Sequence, residues 1–250
     1  MTGTKEQPRY VYGVVRADTA RPAVEGIGGA ALELVEAGKV AALTSPVLDD
    51  PLEAGRDELF AHAGVLEAAF DQGTVLPMRF GVVFPDTETL REELLEGHRD
   101  ELTAQLAELA GKVEIAIKGV YHEQAILREI VAENREIAVL RAAIKGKPEA
   151  ATYQQRIRLG ELIAEAFATR QERDSVTLAE VLRPFAAAVV INEPIDERMA
   201  LNASFLVARD ALPAFDRAVD RLGADERDRV RLRYTGPLPP HSFVELGAAA

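Results

Sequence analysis

The sequence predicts an α+β protein of two domains, the C-terminal one ferredoxin-like (β-α-β-β-α-β) with an inserted long antiparallel helical hairpin. Three observations carry this. From residue 112 on, patterned segments follow the order strand, helices, strand, strand, helix, strand, which is the split-βαβ order. Two amphipathic helical patterns in that half are separated only by "KGKPEA", where Gly146 and Pro148 are turn residues. The chain has 250 residues, 48% apolar and 28% charged, enough for two cores.

Residues 1–111 form the first expected domain. "RYVYGVV", residues 9–15, is β-branched and aromatic, with Tyr10, Tyr12 and Val14 on one face, so it reads as a strand. A loop with Pro22 and "GIGG" follows. "LELVEAGKVAALTS" reads as two short strands around Gly38. "GRDELFAHAGVLEAAFDQG" places Leu59, Phe60, Ala63, Leu66, Ala69 and Phe70 at helical spacing and closes on Gly73. "TVLPMRFGVVF" reads as one strand. Asp86 then caps a single acidic helix that ends at Gly111.

Residues 112–250 form the second. "KVEIAIKGVY" alternates as a strand. A helical pattern from about His122 to Ile144 carries Ile126, Ile130, Ile137, Leu140 and Ile144 on one stripe. A second, from about Glu149 to Arg173, carries Tyr153, Ile157, Ile163 and Phe167. The hairpin thus spans about 122–173, and "TLAEVLRPF" is expected as a separate short helix. Strands "AAVVI" and "MALNASFLV", helix "DALPAFDRAVDRLG" and strand "RVRLRY" complete the unit, with Val230, Leu232 and Tyr234 facing the core. The Pro-rich tail "TGPLPPHSFVEL" is expected to be an ordered strap, because it directly follows a core-patterned strand. Phe243 and Val244 are expected to pin it, with Phe243 substantially buried.

Composition excludes several functions. The chain has no Cys, so no disulfide or cysteine-ligated metal. Its N-terminus lacks the apolar run of a signal peptide, and no stretch is long and apolar enough to span a membrane, so a soluble, cytoplasmic protein is expected. Net charge is −12, and between Asp49 and Glu114 there are 16 acidic against five basic residues. Nucleic-acid binding needs cationic surface, and none is expected here. Arg229, Arg231 and Arg233 make a basic stripe, but without the aromatic interleaving of an RNA-binding sheet. That stripe reads as a solvated face or as a dock for an acidic helix such as 86–101.

No motif advertises catalysis. "GIGGAA", residues 26–31, matches G-x-G-x-x-A only formally, since a loop precedes it and a strand follows. His62, His98, His122 and His241 form no ligand pair, and His62 and His98 read as surface or boundary residues. No catalytic residue, metal or cofactor is expected. "TVLPMRFGVVFP" carries one charge, Arg79, beside Phe80. Arg79 is either half of a structural ion pair or an anchor for a partner peptide.

"RYVYGVV", "VLPMRFGVVF", "MALNASFLVARDALPAFDRAVDRL" and "YTGPLPPHSFVEL", in that order, resemble the gas vesicle GvpL/GvpF family across the whole chain. The resemblance implies two α+β domains and an accessory or minor structural role in gas vesicle formation without enzymatic activity. It implies as partners the small hydrophobic shell protein GvpA and other Gvp proteins, and a place at the gas vesicle. The family's proline motif is similar to G-P-W-P-P-Y-x-F. This chain retains Gly236, Pro237, Pro239, Pro240 and Phe243 but has Leu238 for Trp and His241 for Tyr, so no role of those two rings carries over. Expected partner-binding residues are Arg79, Phe80, Pro237, Pro240 and Phe243. From the residues alone, an enzyme or small-molecule sensor on ferredoxin-like modules remains the alternative.

Overall fold

The computed structural model describes residues 7–47 and 55–245. They fall into two compact units. One runs up to Glu114 and resumes at Pro237; the other is Ile115–Gly236. The proline tail therefore groups with the first unit, whereas the sequence reading assigned it to the second.

In the first unit, β1 (Arg9–Arg16) is the central strand. With β2 (Glu33–Ala37), β3 (Val40–Pro46) and β4 (Val75–Pro77) it gives the sheet order β2-β3-β1-β4, and β5 (Val83–Phe84) also pairs with β1. The β2–β3 turn is tight because Gly38 takes φ 68°, the left-handed region that glycine occupies without strain. Helix α1 (Arg56–Gln72) buries Leu66, Ala69 and Phe70 of the expected stripe, but Leu59, Phe60 and Ala63 are exposed. The buried face runs through His62 and Val65 instead, because His62 turns inward to bond Tyr10.

Two further expectations fail in this unit. The run 74–84 is not one strand. Gly13 pairs with Pro77 and Tyr10 with Val83, so two residues of β1 face five, 78–82, on the partner strand. The excess bulges out, and Gly81 turns it with φ 94°. The segment after Asp86 is not one α-helix either. Asp86 caps it as predicted, its carboxylate accepting from the Thr89 N–H at 2.7 Å. One turn, α2 (Thr87–Thr89), leads into a π-helical stretch (Leu90–Glu96), and α3 (Arg99–Glu108) starts afresh. The wider winding lets Leu90, Leu94 and Leu95 all reach the core.

The second unit has the sheet order β7-β8-β6-β9, from β6 (Lys112–Tyr121), β7 (Ala188–Ile191), β8 (Met199–Ala208) and β9 (Val230–Leu238). This is the arrangement the split-βαβ order predicts. Between β6 and β7 lie α4 (Glu123–Glu133), α5 (Arg135–Ile144) and α6 (Glu149–Leu182). The first arm breaks where Asn134 caps α5, its side-chain oxygen accepting from the N–H groups of Glu136 (3.1 Å) and Ile137 (3.2 Å). The second arm continues through residues 174–182, so the expected separate short helix is the end of a 34-residue helix. Leu178, Ala179 and Leu182 are buried and carry the helix on without a break. Helix α7 (Leu212–Asp225) packs Phe215 against Phe205 of β8, ring centroids 5.3 Å apart. Along β9 burial fades: Val230 is buried, Leu232 half-buried and Tyr234 exposed, with the Tyr234 hydroxyl donating to Asp216. Tyr234 is thus a rim residue, because β9 is an edge strand.

Candidate functional site

The 78–82 bulge rests on a buried aromatic cluster. Tyr10 and Tyr12 from β1 and His62 from α1 lie together, and the half-buried Phe80 ring sits 5.9 Å from Tyr10 and 5.7 Å from His62. His62 is thus a core residue, against the sequence expectation. It lies inside because its two nitrogens find partners there. Nε2 is 3.2 Å from the Met78 carbonyl, which can only accept, so Nε2 carries the proton. Nδ1 then accepts from the Tyr10 hydroxyl at 2.9 Å, and the Tyr10 oxygen accepts the Gly81 N–H at 3.1 Å. The chain of bonds fixes both ends of the bulge, which also ties to β1 through Met78 N–H to Tyr12 O and Val11 N–H to Val82 O.

This relay requires neutral groups. Burial depresses the His62 pKa; the bond to Met78 works the other way, and the charge of nearby His241 adds to the depression. Burial pushes the Tyr10 phenol up to about 12. Beside it, the Tyr12 hydroxyl exchanges a bond with Ser45 (2.9 Å) and accepts the Ile27 N–H (2.8 Å). "GIGG" is therefore a turn docked on Tyr12; a dinucleotide loop would need its N–H groups free.

At the tip of the bulge Arg79 is exposed and makes no ion pair or hydrogen bond among the described residues. The structural ion pair considered from sequence is absent there. Because the bulge swings 79–81 out of the sheet, Arg79 is presented to solvent, and Phe80, its neighbour in the chain, is half-buried.

His241 brings the strap to the same neighbourhood, close enough for its charge to act on His62. The strap is anchored on the first unit. The buried Glu114 carboxylate accepts from the Ser242 N–H (2.8 Å) and hydroxyl (2.7 Å). The Gln105 amide donates to the Glu245 carbonyl (2.5 Å) and accepts the Glu245 N–H (3.0 Å). Pro239 and Pro240 are buried, Pro237 is exposed, and Phe243 is half-buried in a 3₁₀ turn. The strap is ordered as expected, but Phe243 is not its deep anchor. Two buried prolines and the Glu114 carboxylate hold it.

The second unit holds an ion network that sequence reading missed. The Arg170 guanidinium donates to Glu129 (2.5 Å) and Glu133 (2.8 Å) on α4. Arg229 binds Glu129 (3.0 Å), Glu226 (3.2 Å) and Asp174, and lies over the Tyr121 ring. The Tyr121 hydroxyl donates to Asp174 at 2.7 Å. Burial opposes the charge on Glu129, but bonds from Arg170 and Arg229 hold its pKa below the usual range. Burial likewise opposes the charge of Arg229, and the carboxylates more than offset it. This network laces α4 and α6 to the start of β9. Of the predicted basic stripe, Arg229 is spent here, while Arg231 and Arg233 are exposed without an ion pair among the described residues. Among the described residues no group of three His, Asp or Glu side chains is disposed to hold a metal ion, and no helix is long and apolar enough to cross a membrane.

The family model described as "Gas vesicle synthesis protein GvpL/GvpF" matches residues 8–245. Gas vesicle protein F of a Streptomyces species (strain CB03234) is 36% identical over 242 residues, covering 94% of this chain and 99% of that protein. Gas vesicle protein F of Dolichospermum flosaquae is 28% identical, covering 96% and 98%. The crystal structure of GvpF from Anabaena sp. PCC7120 superposes with a TM-score of 0.80 at 26% identity, covering 97% of this chain and 100% of that one. GvpF from Microcystis aeruginosa gives 0.77 at 26% identity.

Proposed function

The chain belongs to the GvpL/GvpF family of gas vesicle synthesis proteins, and from that premise we propose that it is a non-catalytic accessory or minor structural protein of gas vesicle assembly. It acts at the vesicle from the cytoplasm, by binding the hydrophobic shell protein GvpA or other Gvp proteins. The observation that carries this reading is the bulge: Arg79 stands exposed beside Phe80 in the chain, without an ion pair among the described residues, in "VLPMRFGVVF", one of the runs by which the sequence resembles the family.

Physically, the bulge offers a cation and an aromatic ring, and the exposed Val83 opens the strand that follows it. An apolar segment that carries a carboxylate would satisfy all three. The strap residues Pro237, Pro240 and Phe243 form the rest of the proposed surface. Pro240 acts from within by fixing the path, and Pro237 and Phe243 present apolar area. A buried relay beneath supports this use, since a rigid bulge loses little entropy when a partner docks.

Capture of the shell protein from a native lysate, by the wild-type chain and by Arg79→Glu, tests the site. An exposed charge reversal shifts folding stability by only about 0.5 kcal/mol, so loss of capture reports binding. Equal capture by Arg79→Glu removes the bulge from the interface. Vesicles of normal number and shape in a strain lacking the gene refute the assembly role itself.

A further inference from the structure

We propose that the distal half of the helical hairpin, residues 135–164, is a docking arm for an acidic amphipathic helix of a partner protein. This does not rest on the shell-protein reading, and it uses a surface of the second unit only.

Helix α6 carries two stripes. One faces the first arm and is buried at Thr152 and Leu162, where α5 packs along α6. The other is Tyr153, Ile157, Gly160 and Ala164, spaced four, three and four residues apart. That is the seam spacing of a coiled coil, and all four are exposed, Tyr153 at 60% and Ile157 at 42%. A two-helix layer can satisfy only one of the two stripes from within the hairpin.

Gly160 adds an independent point. It lies in the middle of a 34-residue helix, and a Cβ there would meet nothing within 4 Å. The chain's own packing therefore gives no reason for glycine, which weakens a helix relative to alanine. A missing side chain on an exposed seam is useful when another backbone comes close.

Charge selects the occupant. Residues 135–161 hold six basic and three acidic side chains, a net +3 in a protein of net −12. Only Arg158 is ion-paired, to Glu136 and Glu161. Arg135, Arg141, Lys145, Lys147 and Arg156 form no ion pair among the described residues. Two copies of this arm laid together would repel. A helix with an apolar seam and acidic flanks would cover the stripe and be drawn to the net positive charge of the arm.

The test uses the full chain and two fluorescent designed helices with one apolar seam, flanked by glutamate in one and lysine in the other. Fluorescence anisotropy should show the glutamate-flanked helix binding, weaker by about tenfold between about 50 and about 500 mM salt. Ile157→Gln should abolish binding with the far-ultraviolet circular dichroism unchanged. Gly160→Leu should raise the melting temperature yet weaken binding, a pairing that a merely structural glycine does not produce. Absence of binding, equal binding of the two helices, or full binding by Gly160→Leu would overturn the proposal.

Discussion

Releasing the strap by Glu114→Ala should expose how it is held. Glu114 is 4% exposed and accepts two bonds from Ser242, at 2.8 and 2.7 Å. Hydrogen bonds to a charged acceptor contribute about 1.5–3 kcal/mol each, so the gross loss is about 3–6 kcal/mol. Two effects reduce it. Removing the carboxylate also removes its desolvation cost, and the half-buried Ser242 can turn its freed donors to water. A net cost of about 2 kcal/mol remains, which is roughly a 30-fold shift in the local opening equilibrium. Amide hydrogen exchange reads it directly. The Ser242 N–H, bonded to Glu114, should exchange about 30-fold faster, while the Glu245 N–H, bonded to Gln105, accelerates less. Core amides of β1 should not move. Glu114→Gln, which keeps one acceptor oxygen, should fall between. If Ser242 exchanges at the wild-type rate in Glu114→Ala, then Pro239 and Pro240 hold the strap alone and the carboxylate clamp is refuted.

Two further outcomes follow from the buried networks. The His62 relay needs a neutral ring, and its depressed pKa means stability is fully present above the unfolded value of 6.5 and is lost as pH falls through the folded value. Denaturant melts at stepped pH should show that loss, and His62→Gln, unable to titrate, should flatten it; the groups facing the ring are Tyr10, Tyr12 and His241. Asp174→Ala should be among the most damaging single changes in the second unit. It leaves Tyr121 and Arg229 without their shared acceptor, at a cost of about 3 kcal/mol, the low end for a broken buried pair because Arg229 retains Glu129 and Glu226. A melting temperature within about 1 °C of wild type would refute that role.

Local pattern carried much of the fold. α7 and the first hairpin arm are legible because each buries one stripe, and burial imposes a period of 3.6 on the residues. In the second arm and the start of α1 the stripe read from the sequence (Tyr153 and Ile157, Leu59 and Phe60) is exposed, and β1 is buried on both faces. Gly38, Gly73 and Asp86 mark turns and caps through chemistry that acts within a few residues. The failures share a cause. The bulge at 78–82 depends on how 74–84 registers against β1, and alternation within a single strand holds no record of its partner's register. The continuity of α6 past Asp174 depends on Leu178 and Leu182 finding a core, which helical spacing alone leaves undecided.

The candidate site divides the same way. Arg79 and Phe80 stand out in the sequence as the lone charge and its aromatic neighbour in an apolar run. Their presentation to solvent is a property of the bulge. His62 has no local signal at all: an imidazole on a helix reads as a boundary residue until Tyr10 and Met78, 52 positions before and 16 after it, supply its two partners. Arg229 looks like one of three equivalent arginines until Glu129, 100 residues upstream, singles it out.

By itself, the sequence determined the α+β class, the split-βαβ order of the second unit, the net acidity and the family, since these reside in composition, period and ordered motifs. Tertiary structure alone decided which polar groups lie inside and which cations remain free. A buried charge or imidazole is tolerated only where its partners converge, and those partners come from distant segments that only the folded chain brings together.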